Sequence, residues 1–314
     1  MQYMSDKEPA LRIQHITKTY GKKTAVSDVS FDVFPGEVFG FLGPNGAGKT
    51  TIIKSVMGFI RPDEGTVIIN GYNTKKDYEK AMATIGGIVE NPEMYTNMSA
   101  FQNLKMYAKL HDNVSEERIY EVLDLVGLRE RAKDPVKKYS LGMKQRIGLA
   151  QAMLHKPKLL ILDEPTNGLD PAGIHQLRDI LKKYAHEDGA AVMVSSHLLS
   201  EMQMMCDRIA IINHGKLIQI CSLDDLTNQA SAASIYRIKT SDPKKSAEIL
   251  ANTFEYTINN INETSFDIEV DEANINSCVR TLVDNGSDIL GVQKVETSLE
   301  DAFLQITGGG IDVE

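Results

Sequence analysis

The chain has 314 residues, of which 42% are hydrophobic and 25% charged, and these proportions exclude a disordered or fibrous protein. Its three cysteines, Cys206, Cys221 and Cys278, are odd in number and form no C-x-x-C pair. They therefore exclude a disulfide framework or a zinc site of usual spacing and favour a reducing cytosol. The formal net charge of −9 is unevenly placed, because residues 1–223 sum to +2 and residues 224–314 to −11. This shift predicts a domain boundary near residue 223 and argues against nucleic-acid binding by the acidic C-terminal part, since such binding needs a basic surface.

The N-terminal segment, residues 1–10, is polar where a signal peptide needs an apolar core. We therefore expect a short polar extension there. No stretch reaches the roughly 18 apolar residues that span a bilayer. We expect a soluble protein, so that any role at a membrane depends on a partner.

Residues 11–223 show short apolar runs that alternate with helical patterns. The predicted strands are Leu11–His15, Val29–Val33, Glu37–Leu42, Leu159–Leu162, Ala191–Val194, Ile209–Ile212 and Lys216–Ile220. Helices are predicted at Thr50–Phe59 and at about Ala172–His186, and the pattern from about residue 95 to 155 is helical without a convincing strand. Strands alternating with helices predict an α/β layer domain that carries a helical insertion.

Residues 224–314 begin a new pattern. Strands are predicted at residues 234–240, 256–261, 265–270 and 289–295, with helices at 243–253 and 272–284 and a short helix at Leu299–Ile306. The order β-α-β-β-α-β is that of the split βαβ arrangement. We therefore predict a small α+β, ferredoxin-like accessory domain.

A glycine-rich segment joins the predicted strand Glu37–Leu42 to the predicted helix Thr50–Phe59. It fits G-x-x-x-x-G-K-[ST], and its residues are Gly43, Pro44, Asn45, Gly46, Ala47, Gly48, Lys49 and Thr50, followed by Thr51. The glycines let backbone N–H groups point at phosphate oxygens, and the helix N-terminus favours anions. Lys49 is predicted to reach the β- and γ-phosphates, and the Thr50 hydroxyl to hold Mg²⁺.

A pair of carboxylates, Asp163 and Glu164, follows the predicted buried strand Leu159–Leu162. Ligands gather at the carboxyl ends of strands in open α/β sheets. With a phosphate loop already in the chain, Asp163 is predicted to bind Mg²⁺ and Glu164 to polarise the attacking water. Without that loop, the same pair would indicate a strand that ends at a solvated turn.

These residues together resemble the ATP-binding subunits of ABC transporters over about residues 10–222. The stretch from Ser140 through Gly142 resembles the family's signature, although Leu141 and Met143 replace its usual glycine and glutamine. The resemblance implies a P-loop NTPase fold of the ABC type with an antiparallel β subdomain. It also implies that Ser140 and Gly142 grip the γ-phosphate of ATP across a dimer interface.

Three further positions take their roles from the same resemblance. Tyr20 stands where the family stacks an aromatic ring on adenine, and Asp170 ends a segment similar to the D-loop. His197 stands where the family has a switch histidine that touches the γ-phosphate. The motifs also follow one another in the family's order, which is more specific than any one of them alone.

The chain departs from the family pattern at Glu90, which stands where a glutamine usually helps to hold Mg²⁺ and the water. A carboxylate could still coordinate Mg²⁺, but it places a negative charge beside a triphosphate. Together with the signature stretch and the terminal segment Ser298–Phe303, Glu90 resembles bacitracin-type and lantibiotic self-protection exporters of Gram-positive bacteria. That resemblance implies export of a peptide antibiotic or a similar amphipathic compound.

The chain holds one phosphate loop and one signature. We therefore expect a homodimer that sandwiches two ATP molecules, works with separate membrane permease subunits and lies on the cytoplasmic face of the cell membrane. The alternative is a soluble ABC-type ATPase that acts on nucleic acid or ribosomes, but the coiled coils or second ATPase domain of such proteins are missing here. A P-loop kinase or GTPase lacks support, because no Asn-Lys-x-Asp guanine motif appears in the sequence and the signature stretch would be unexplained.

Overall fold

The computed structural model describes residues 8–112, 114–223, 225 and 235–295. It divides into two compact units, residues 1–222 and 223–314. The predicted helix Leu299–Ile306, the segment Ser298–Phe303 and residues 1–7 of the N-terminal extension lie outside the described residues. No helix of the described part is both long and apolar enough to cross a membrane.

The first unit contains ten strands and seven α-helices within the described residues. The strands are β1 (Leu11–Tyr20), β2 (Lys23–Val33), β3 (Val38–Leu42), β4 (Glu64–Ile69), β5 (Tyr72–Asn73), β6 (Ile85–Ile88), β7 (Leu159–Asp163), β8 (Ala191–Ser196), β9 (Arg208–Asn213) and β10 (Lys216–Ser222). The helices are α1 (Lys49–Val56), α2 (Tyr78–Met82), α3 (Ala100–Ala108), α4 (Glu116–Leu125), α5 (Leu141–Ala152), α6 (Pro171–His186) and α7 (Leu199–Met205). Helices α3, α4 and α5 form the predicted helical insertion.

A six-stranded sheet with the order β10-β9-β3-β8-β7-β6 forms the centre of this unit. Its strands are parallel except β10, which pairs antiparallel with β9. Strands β3 and β7 are buried along their whole length, as expected for parallel strands covered on both faces. The register pairs Leu42 with Ser196 and Asp163 with Ser195. The ends of β3, β7 and β8 therefore lie side by side at one edge of the sheet.

A second sheet, with the order β2-β1-β4-β5, is antiparallel throughout. Its strand β2 begins six residues before the predicted start at Val29. Strands β4, β5 and β6 were absent from the sequence prediction. In β6 the reason is the pair Gly86 and Gly87, because glycine is a poor strand former. Packing requires glycine there, since a Cβ on Gly86 would lie 2.0 Å from the Ala152 carbonyl oxygen.

An imidazole pair joins the helical insertion to the central sheet. His155 lies after α5, and its ring stacks on that of His111 with centroids 4.0 Å apart. Its Nε2–H donates to the Ile85 carbonyl at 3.0 Å, while Nδ1 is buried without a hydrogen-bond partner among the described residues. Protonation would place a charge on this partly buried ring, so burial, with a smaller effect of His111, lowers the pKa of His155 to about 4.

This lowered pKa predicts how stability depends on pH. In the unfolded chain the pKa of histidine is about 6.5, so the unfolded state binds more protons between pH 6.5 and about 4. The contribution of His155 to stability is therefore complete above pH 6.5 and is lost as the pH falls towards 4. Urea unfolding of His155→Phe should show a flatter decline of unfolding free energy over this range. His175→Phe, at an exposed position, should keep the wild-type slope, and an equal slope in all three proteins would contradict the prediction.

The second unit is a small α+β domain. Its elements are β11 (Ile235–Thr240), α8 (Pro243–Thr253), β12 (Thr257–Asn259), β13 (Ser265–Glu269), α9 (Ile275–Asp284) and β14 (Ile289–Val295). The strands form an antiparallel sheet in the order β12-β13-β11-β14. Ile238, Leu250 and Phe266 belong to its own apolar core. The order β-α-β-β-α-β is the one expected from the sequence.

Candidate active site

The glycine-rich segment forms a loop between β3 and α1, at the sheet edge where β3, β7 and β8 end. Gly48 has a φ of 108°, in the left-handed region that only glycine adopts readily. A Cβ at this position would also lie 2.8 Å from the carbonyl oxygen of Ala25. Glycine is therefore required at the start of α1 both by the backbone conformation and by the close approach of β2.

Lys49 is the first residue of α1, and only 6% of it is exposed. Its Nζ donates to the carbonyl oxygens of Gly43 at 2.6 Å and Pro44 at 3.2 Å. The same ammonium lies 3.3 Å from Glu164 Oε1. The loop thus holds a buried positive charge within reach of the carboxylate at the end of β7.

An open cleft of about 650 Å³ lies over the loop. It is lined by residues Asn45–Thr51, by Tyr20 and by the pair Glu164 and His197. The lining also includes Asn167, the first residue of the D-loop segment 167–170. Sequence reasoning did not identify the rest of the lining, which comprises Lys23, Thr24, Ala25, His214 and Gly215. These last five residues carry no motif of their own, so only the tertiary structure brings them to the cleft.

Asp163 and Glu164 take different positions although they are adjacent. Asp163 is 3% exposed, and its Oδ1 accepts a hydrogen bond from Ser195 Oγ at 2.6 Å. The same hydroxyl accepts from the Glu164 backbone N–H at 2.9 Å. Glu164 has a φ of 48°, a conformation uncommon outside glycine and often found at functional sites. This turn directs the Glu164 side chain towards Lys49 and His197.

Glu164 and His197 are hydrogen-bonded. Their Oε2 and Nδ1 atoms are 2.9 Å apart. An ionised carboxylate only accepts hydrogen bonds, so His197 donates its Nδ1–H and keeps Nε2 for another partner. The structure thus brings Lys49, Glu164 and His197 into one connected group.

Glu90, by contrast, is not among the described residues that line the cleft. Its Oε1 accepts a hydrogen bond from Lys54 Nζ at 2.6 Å, and its side chain is 62% exposed. The hydrogen bond to Glu90 is the main cause of a raised pKa of Lys54, with smaller effects of the nearby Asp163 and Tyr20. Lys54 therefore neutralises the charge of Glu90, and Lys54 itself lies close enough to Asp163 for their charges to interact.

Ser140 and Gly142 of the signature, and Asp170 of the D-loop, also lie outside the described lining of this cleft. Ser140 caps α5 by accepting from the Met143 N–H at 3.2 Å, and Asp170 caps α6 by accepting from the Gly173 N–H at 2.9 Å. A Cβ on Gly142 would be 3.5 Å from the Gly168 carbonyl oxygen, so the start of α5 lies close to the D-loop. One copy of the chain therefore holds the start of α5 beside the D-loop, while Ser140 and Gly142 do not line the cleft that contains Lys49.

Comparison with known proteins places these features in a family. The ABC transporter family profile matches residues 26–167. The chain is 46% identical over 299 residues to the ABC transporter ATP-binding protein YhcH of Bacillus subtilis (strain 168), with 95% of this chain and 96% of that protein covered. It is 36% identical over 303 residues to the bacitracin transport ATP-binding protein BcrA of Enterococcus faecalis, with 96% and 98% covered. It is 45% identical over 209 residues to the lantibiotic transport ATP-binding protein SrtF of Streptococcus pyogenes, with 66% and 89% covered.

Solved structures agree with the sequence comparisons. The ATP-binding subunit of an ABC transporter superposes with a TM-score of 0.64 at 31% identity, over 70% of this chain and 92% of the other. A dimeric ATP-binding cassette bound to ADP and Pi has the same fold, with a TM-score of 0.63 at 24% identity over 68% of this chain and 98% of the other. The expected P-loop NTPase fold of the ABC type and the resemblance to ABC transporter ATP-binding subunits are confirmed. The chain belongs to the ABC transporter ATP-binding family, and it is an ATPase subunit that couples ATP hydrolysis to transport.

Proposed function

We propose that two copies of this chain close around two ATP molecules, each held between the P-loop of one copy and Ser140 and Gly142 of the other. The observation that carries the proposal is the division of the site residues within one copy. Lys49, Glu164 and His197 line one cleft, whereas Ser140 and Gly142 are not among its described lining. The dimeric form of a cassette with the same fold supports this arrangement.

The residues of the cleft suit hydrolysis of a phosphate anhydride. The backbone N–H groups of the P-loop and the Lys49 ammonium bind the phosphate oxygens, and the Tyr20 ring stacks on the base. Glu164 accepts a proton from the attacking water, while the His197 Nδ1–H fixes the orientation of that carboxylate. His197 then contacts the γ-phosphate through Nε2. Lys49 takes part in both phosphate binding and hydrolysis, because its ammonium contacts the loop carbonyl oxygens and lies close to the Glu164 carboxylate.

The oxygen ligands present also fit Mg²⁺, which prefers hard oxygen donors and commonly takes one or two from protein and the others from phosphate and water. The Thr50 hydroxyl lies at the cleft, and the Asp163 carboxylate is fixed at the end of β7 by Ser195. Thr50 and Asp163 would hold the ion, whereas Glu90 is paired with Lys54 outside the described lining of the cleft. Bound there, Mg²⁺ neutralises charge on the phosphate oxygens.

The dependence of ATPase activity on protein concentration tests the shared site. We expect activity per molecule to rise with concentration and then to level off as dimers saturate. Binding of ATP to single copies should persist at dilutions where hydrolysis is lost. Activity per molecule that stays constant across all dilutions would contradict the proposal.

The Lys54–Glu90 ion pair predicts a second result. Lys54→Met leaves the Glu90 carboxylate uncompensated near the triphosphate, and about 1 kcal/mol of repulsion corresponds to a KM for ATP about fivefold higher. Glu90→Gln added to Lys54→Met should restore the KM, since it removes the uncompensated charge. Lys80→Met, which breaks an exposed ion pair with Asp77, is the matched control and should leave the KM unchanged. An unchanged KM in Lys54→Met would show that Lys54 has no part in ATP binding.

For the cargo, we propose a peptide antibiotic or a similar amphipathic compound, exported through separate permease subunits with this chain peripheral on the cytoplasmic face of the membrane. The support is the identity with proteins named for bacitracin and lantibiotic transport. Growth inhibition by bacitracin and by a lantibiotic, with and without the gene for this chain, tests the proposal. Equal inhibition by both compounds would contradict it.

A further inference from the structure

A buried carboxylate outside the predicted motifs connects two segments of the candidate site. Glu201 lies on α7 and is 9% exposed. Its Oε2 accepts hydrogen bonds from Ser196 Oγ at 2.6 Å and from Thr166 Oγ1 at 2.8 Å. A carboxylate with so little exposure needs such donors, because burying an unsatisfied charge is costly. Hydrogen bonds to a charged acceptor are also about twice as strong as neutral ones.

The two donors belong to the segments that carry Glu164 and His197. Thr166 lies two residues after Glu164, and Ser196 directly precedes His197. The Ser196 hydroxyl also accepts from the Leu198 backbone N–H at 3.0 Å, so both neighbours of His197 are tied to this network. The Ser196 carbonyl in turn accepts from the Gly43 N–H at 3.3 Å, which links the same point to the P-loop.

We infer that Glu201 is a positioning residue for ATP hydrolysis. Its carboxylate ties the His197 segment to the Thr166 segment, so that His197 meets Glu164 in the orientation that catalysis needs. The inference rests on the proposed roles of Glu164 and His197. Glu201 itself is not part of the described lining of the cleft. It acts through Ser196 and Thr166, whose hydroxyls converge on one of its oxygen atoms.

The test compares kcat and KM for ATP in variants of the whole chain. Glu201→Ala removes the shared acceptor, and we expect kcat to fall about 10- to 100-fold because misplaced catalytic groups lose rate steeply. The KM for ATP should stay within about threefold. Glu201→Gln keeps one acceptor oxygen and should retain most of the wild-type kcat. Thr166→Val, which removes one donor at nearly constant volume, should give a smaller loss of kcat than Glu201→Ala.

A double-mutant cycle separates positioning from a structural role. If Glu201 acts through His197, Glu201→Ala should cost nothing further in a His197→Ala background. The matched control is Glu37→Gln, another buried carboxylate, paired with Arg208 at 2.9 Å at the opposite end of β3. We expect Glu37→Gln to lower the melting temperature and leave the kcat of the folded protein unchanged.

The outcomes that overturn the inference are distinct. A normal kcat in Glu201→Ala would show that Glu201 only stabilises the fold. The same would follow if His197→Ala is itself impaired and the losses of kcat in the two single variants multiply in the double variant. Normal kcat in His197→Ala would refute the proposed role of His197 and the inference together. If Glu201→Ala fails to fold, Thr166→Val decides, because a wild-type kcat in Thr166→Val would also refute the inference.

Discussion

Glu164→Gln is expected to lower kcat by about 10² to 10⁴-fold, the usual contribution of a general base, and to leave ATP binding intact. The amide has nearly the same shape as the carboxylate, and its oxygen can still accept the His197 Nδ1–H, which lies 2.9 Å away in the wild type. It cannot take a proton from water. Loss of the ion pair with Lys49 at 3.3 Å leaves the ammonium free to bind phosphate.

Because hydrolysis reopens the proposed dimer, this variant should also accumulate as an ATP-bound dimer. Size-exclusion chromatography of Glu164→Gln should show a dimer in the presence of ATP and chiefly a monomer in the absence of nucleotide. Glu187→Gln, at an exposed position that follows α6, is the matched control and should behave as the wild type. If Glu164→Gln turns over ATP normally and never dimerises, Glu164 is not the base and the proposed closure mechanism is wrong.

Lys49→Ala is expected to weaken ATP binding rather than only slow the reaction. The Lys49 ammonium is nearly buried and faces the loop that would hold the phosphates. Truncating one partner of a buried, hydrogen-bonded charge pair costs at least about 2 kcal/mol, which corresponds to a Kd for ATP raised by about 30-fold or more. Isothermal titration calorimetry with ATP measures this change directly.

Two comparisons sharpen the Lys49 experiment. Lys49→Arg keeps the charge, but the planar guanidinium group does not fit the position that the compact ammonium occupies between the Gly43 and Pro44 carbonyl oxygens. We therefore expect a similar loss of affinity for ATP. Lys183→Ala, at an exposed position on α6, should bind ATP as the wild type does. Cells that rely on this chain for antibiotic resistance should lose that resistance when they carry the Lys49→Ala variant. Wild-type affinity in Lys49→Ala would place the triphosphate elsewhere.

The P-loop and the Asp163–Glu164 pair could be predicted because each depends on neighbours in the chain. An apolar run that ends in glycines before a helical pattern specifies a strand, a tight loop and a helix N-terminus together, and a carboxylate pair after a buried strand must lie at the sheet edge. The ABC resemblance of residues 10–222 rests on the same local signals. The predicted roles of Tyr20, Ser140, Gly142, Asp170 and Glu90 stay predictions, since they depend on the bound nucleotide or on a second copy.

The contacts among these motifs were decided by the tertiary structure. Only the pairing of Asp163 with Ser195 and of Leu42 with Ser196 brings the two serines of β8 beside the carboxylates and the P-loop. Strand pairing joins residues far apart in the chain, and the pattern of one strand does not specify its neighbour. For that reason the sequence indicated that Glu164 and His197 matter, whereas the carboxylate of Glu201 that ties their segments together became visible only in the fold.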